Sequence, residues 1–134
     1  MLPHALRGFD HDPIEENRET ANDIMVEVCK SFRMKMEINN IDKLAKRMVK
    51  IIDKARDVDD RLNRETNVIL ALGFFLGDEL IKKSGGEWIE NDEGEFLVVL
   101  KNVQTFPLEK VRKYIKNGEA DSLLAFYKVT TMFG

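Results

Sequence analysis

The chain has 134 residues, of which 43% are hydrophobic and 34% charged, and its formal net charge is −3. That length suits one domain with a real core and excludes two independent ones. The small net charge supplies no global field toward nucleic acid or an anionic membrane, and the longest apolar run, Val68–Leu76, is far short of the ~20 residues a bilayer span needs.

Residues 1–12 read as a flexible leader to a single globular domain covering 1–134. Asp12-Pro13-Ile14-Glu15 is a helix start: Asp12 can cap, Pro13 suits the first helical position, and Glu15 can reach back as in a capping box. The helix that follows carries Ala21, Ile24, Met25, Val28 and Phe32 on one face and is predicted to fade near Glu37, with Asn39–Asn40 marking the break. A second amphipathic helix uses Ile41, Leu44, Ala45, Met48, Ile51 and Ile52, continuing to Ala55 and Val58. Asp57, Asp59 and Asp60 oppose its extension through the backbone dipole and suit the start of the next helix. That third helix is predicted from about Arg61 to Ser84, with Leu62, Val68, Ile69, Leu72, Phe75, Leu76 and Leu80 toward the core. Lys82 and Lys83 favour its last turn, and Gly85 supplies the left-handed residue that ends it.

Trp88–Glu90 and Glu95–Leu100 then read as a hairpin around Asn91-Asp92-Glu93-Gly94, where Gly94 can take positive φ. Val103–Phe106 is a candidate third strand. Pro107 opens a helix with Leu108, Val111, Tyr114 and Ile115, which Asn117–Gly118 stops. Asp121 is placed to cap a final helix containing Leu124, Tyr127 and Thr131, with Leu123 and Phe126 alongside. The expected fold class is α+β: three N-terminal helices, a small antiparallel β-hairpin or three-stranded sheet, then two C-terminal helices. Gly73 and Gly77, four residues apart in the third helix, are expected to let a strand or another helix approach closely.

The run LGFFLGDELIKKSGGEW, followed by FPLEKVRKYIKNGEADSLLAFY, resembles a mostly bacterial domain-of-unknown-function family. The shared positions are Leu72, Gly73, Leu76, Gly77, Gly86 and Trp88, then Phe106, Pro107, Val111, Lys113 and Gly118, so the likeness covers the C-terminal half. It implies a small soluble α+β domain, brings no activity, cofactor or catalytic residue, and extends to an immunity-like or regulatory partner-binding role.

Candidate chemistry is sparse. His4, Asp10, His11 and Asp12 have metal-ligand character but fall in the leader, where a second shell to hold them is lacking. Glu19, Asp23 and Glu27 stack at four-residue steps; a carboxylate-bridged metal bundle would also need a Glu-x-x-His pattern, and no histidine follows position 11. Cys29, the only cysteine, sits near an apolar face without a base, and one cysteine forms no internal disulfide. The serines (Ser31, Ser84, Ser122) lack a histidine partner. Ser84-Gly85-Gly86 follows a helix rather than preceding one and so is no phosphate loop. The leader has Arg7, Asp10 and Asp12 where an export signal needs an apolar centre, which with the single thiol predicts a cytoplasmic protein.

No catalytic, cofactor or metal residue is therefore assigned. The expected function is a non-catalytic protein-interaction module, immunity-like or regulatory, acting as a homodimer or with a heteromeric partner. Its docking surface is expected on the methionine-bearing N-terminal helices or on the C-terminal helix, apolar on more than one side. One alternative is a small-ligand binder or enzyme using a cleft between helices and hairpin, lined by carboxylates and Trp88. Another is a nucleic-acid accessory protein acting through the basic stripe Lys43, Lys46, Arg47 and Lys50, with Arg112, Lys113 and Lys116 as a smaller patch.

Overall fold

The computed structural model describes residues 12–133. Three helices, α1 (Pro13–Phe32), α2 (Ile41–Asp53) and α3 (Val58–Ser84), precede the strands β1 (Glu87–Glu90), β2 (Phe96–Val99) and β3 (Gln104–Thr105). Two further helices follow, α4 (Pro107–Asn117) and α5 (Leu123–Phe133). The strands form an antiparallel sheet in the order β1-β2-β3. This is the expected α+β arrangement, with the third strand formed and shorter than Val103–Phe106.

Local chemistry explains most boundaries. The Asp12 carboxylate accepts from the N–H groups of Ile14 and Glu15, as a helix cap should. Glu15 does not reach back; it pairs with Arg18 at 3.1 Å. Asp57 caps α3 by accepting from Asp60 N–H at 2.7 Å. Gly85, at φ +74°, ends the same helix, and Gly94, at φ +79°, closes the hairpin turn.

Four expectations are corrected. Helix α1 stops at Phe32 rather than near Glu37, because Arg33 turns left-handed at φ 56° and Met34 N–H donates to Cys29 O, closing the end. Val58 belongs to the start of α3 rather than the end of α2, and both it and Leu62 are exposed. Within the apolar pair of α3, Phe74 is fully buried and Phe75 only half so.

The main core lies where α1, α2, α4 and α5 gather around α3, through side chains such as Met25, Leu44, Met48, Leu72, Val111 and Leu123. Two arginines stitch the helices at their C-terminal ends, where carbonyls lack helical partners. Arg47 donates to Phe32 O at 3.3 Å, and Arg64 donates to Ile51 O at 2.7 Å. The sheet packs on α3 through its small-residue face. A Cβ at Gly77 would overlap the Trp88 indole, and one at Gly73 would come within 2.8 Å of Leu108 Cγ. The expected close approach thus serves a strand at one glycine and a helix at the other.

Candidate functional site

Trp88 sits on β1 opposite Val98, and its ring packs tilted against Phe74 at 4.5 Å between centroids; Phe74 also meets Phe96 at 5.8 Å. Its indole N–H donates to Asp78 Oδ1 at 2.9 Å. The same carboxylate oxygen lies 3.1 Å from Arg18 Nε. That nitrogen is buried and makes no aligned hydrogen bond, so the Arg18–Asp78 contact is an ion pair. Residues from α1, α3 and β1 are thereby held together at a single carboxylate.

Beside this junction runs an open groove of about 720 Å³ between α1, α3 and β1. Its surface is partly apolar, from Ile14, Met25, Phe75 and Trp88, and partly charged, from Arg18, Asp78, Glu79, Lys82 and Glu87. Glu79 is ion-paired with Lys82 at 3.1 Å. Tyr127, on α5, has its phenol held above the ordinary value by burial first and the Glu79 charge second, with Lys82 opposing. Trp88 is therefore both a packing residue and a groove-lining one.

The other candidates take structural positions. Cys29 is buried in the core, and that burial raises its thiol pKa, which is the opposite of activation. Ser122 donates to Asp42 Oδ2 at 2.6 Å and accepts from Ala125 N–H. Asp121 does not cap the final helix; it lies in a short 3-10 turn, Gly118–Asp121, and its carboxylate is taken by Lys110 and Asn117. Glu19, Asp23 and Glu27 are exposed, and among the described residues no three His, Cys, Asp or Glu side chains converge to hold a metal ion. His4, Asp10 and His11 lie outside the described residues.

In the basic stripe Lys43, Lys46 and Lys50 are exposed. Arg47 is committed to the end of α1, over the Phe32 ring at 5.5 Å. Arg112 pairs with Glu109 at 2.9 Å. Among the described residues no helix is long and apolar enough to cross a membrane.

A second surface feature lies on α5. Leu123 and Thr130 are buried beneath it, whereas Val129, Met132 and Phe133 are 54%, 75% and 63% exposed. These three residues share one helix face through their three- and four-residue spacing. No known family model, curated protein or solved structure matches the chain.

Proposed function

We propose that the protein is a non-catalytic interaction module that docks a second polypeptide through the outer face of α5. The observation that carries this reading is the exposure of Val129, Met132 and Phe133 along one side of a helix whose other side is already in the core. An ordinary surface helix has one apolar stripe, and α5 has two. Lys128 is the only charged residue between Leu123 and Phe133, so water is not compensated along the outer stripe. Asn102 donates to Phe133 O at 3.3 Å, tying the end of α5 to the β2–β3 connection and fixing the stripe in place. Removing three such side chains from water supplies several kcal/mol, at ~1.5–3 kcal/mol for each fully buried large apolar residue. Such a module works by occupancy, holding or blocking its partner in an immunity-like or regulatory role.

Sedimentation velocity at micromolar concentration tests the homodimeric form, with Val129→Asp plus Met132→Asp as the disrupting variant. Self-association in the wild type and a folded monomer in the variant are expected. For a heteromeric partner, a photo-crosslinker at position 129 should capture a discrete protein in the cells of origin. A wild-type monomer that captures nothing there defeats the reading.

A further inference from the structure

We propose that the groove between α1, α3 and β1 docks a lysine- or arginine-bearing amphipathic segment of a partner protein. This surface is separate from the outer face of α5 and does not depend on it.

Two features of the groove select that chemistry together. Its floor is apolar: Ile14, Phe75, Ile81 and Trp88 are only half-buried, and Met36 is 38% exposed at its margin. Its rim, continued over the adjoining face of α1, is acidic. Asp12, Glu15, Glu19 and Asp23 stand on the α1 side. Asp78, Glu79 and Glu87 stand on the other. Arg18 and Lys82 are the only cations among these residues, and both are already engaged, Arg18 by Glu15 and Asp78 and Lys82 by Glu79. Among the described residues, Glu19, Asp23 and Glu87 make no ion pair and are exposed. An occupant that satisfies both features must bring apolar side chains for the floor and positive charge for the rim.

Other occupants satisfy only one of the two. A small inorganic cation leaves the floor wet, and a nucleic acid or anionic membrane is repelled by the rim. A second copy of this chain could offer the basic side of α2, with Lys43 and Lys50. Its apolar side, including Leu44, Met48 and Ile52, is buried in its own core and cannot reach the floor. The α5 face of a second copy offers Val129, Met132 and Phe133 but a single cation, Lys128, against the seven carboxylates of the rim. The groove's volume of about 720 Å³ accommodates a few side chains from one segment rather than a globular surface.

Trp88 is the chain's only tryptophan, so its fluorescence reports the groove directly. The probe is a synthetic, tryptophan-free helical peptide of about 18 residues, roughly five turns, with lysines on one face and leucines on the other. Saturable binding is expected, weakening with salt. It should fall at least about tenfold both for a scrambled peptide of equal composition and for the folded variant E19Q/D23N/E87Q. The V129D/M132D protein should bind the peptide as the wild type does, which separates this test from that of the α5 face. Equal binding of the scrambled peptide, unchanged binding by the neutralised variant, or no saturation up to about millimolar peptide overturns the proposal. Loss of binding in V129D/M132D moves the peptide to α5 and overturns it as well. So does self-association that K43Q/K50Q abolishes while freeing the groove, since the occupant is then a second copy.

Discussion

Asp42 and Leu123 are eighty-one residues apart in sequence, yet the Asp42 carboxylate accepts the Leu123 backbone N–H at 2.8 Å. The side chain belongs to the first turn of α2 and caps the N-terminus of α5. Its second oxygen accepts from the Ser122 hydroxyl at 2.6 Å, and its own backbone carbonyl accepts from the Tyr114 hydroxyl at 3.4 Å. One residue thus connects α2, α4 and the start of α5 by satisfying donors that a helix N-terminus cannot satisfy internally.

Replacing Asp42 with alanine removes a helix cap and the partner of a half-buried hydroxyl together. The expected loss is about 2 kcal/mol in urea unfolding, from the usual worth of a cap plus one charge-assisted hydrogen bond. Asp42→Asn keeps an acceptor and should lose less. Amide exchange offers the sharper measurement: protection of residues 123–126 should drop in D42A while that of α1 stays near the wild-type level. Uniform loss across the molecule would show that Asp42 acts on the whole fold rather than on α5.

Gly77 exists for Trp88. The missing Cβ is the space that the indole occupies, so Gly77→Ala forces the ring off Phe74 or pushes the sheet from the helix. Overpacking of this kind costs about 1–3 kcal/mol, despite the better helix propensity of alanine. A double-mutant cycle with Trp88→Leu should show strong non-additivity, because the smaller side chain vacates the contested volume. A neutral G77A in the wild-type background would show that the indole does not depend on the missing Cβ.

The features legible in the sequence were those that depend on near neighbours. Asp12 and Asp57 cap through backbone N–H groups two or three residues away, and Gly85 and Gly94 are demanded by local backbone angles. The helical spacing of apolar residues marked five helices correctly because burial of one face repeats every three to four residues. What could not be read either lacked its usual residue signal or depended on residues far along the chain. Arg33 adopts a glycine-like conformation at the end of α1, and no glycine announces it. Leu62 fits the apolar spacing of α3 but lies on a stretch that the packing leaves exposed. Asp121 has a capping residue's chemistry, yet Lys110, eleven positions earlier, claims it first. The groove was only half legible: carboxylates and Trp88 were expected around a helix–hairpin cleft, whereas the opposing wall comes from α1, through Arg18, Asn22 and their neighbours. The salt link that joins the two walls spans sixty positions and has no local signature.

The Lys110–Asp121 contact also predicts a pH dependence with a definite sign. Asp121 accepts from Lys110 Nζ at 2.8 Å and from Asn117 Nδ2 at 2.8 Å, and those bonds, the lysine's first, hold its carboxyl below the ordinary 3.8. A depressed folded-state value means that the unfolded chain takes up the proton more readily. The stabilising contribution is therefore complete above the ordinary value of 3.8 and disappears as pH falls through the lower folded-state value. Asp121→Asn lacks this titration. The urea midpoint of the wild type minus that of D121N should stay level from neutral pH to about pH 5 and shrink toward about pH 2. Lys110→Met should flatten most of that slope, since Lys110 is the larger cause, and Asn117→Ala should flatten less of it. A difference that stays constant through the acid range would mean that the carboxylate titrates alike in both states, and that the pairing with Lys110 contributes nothing to folding.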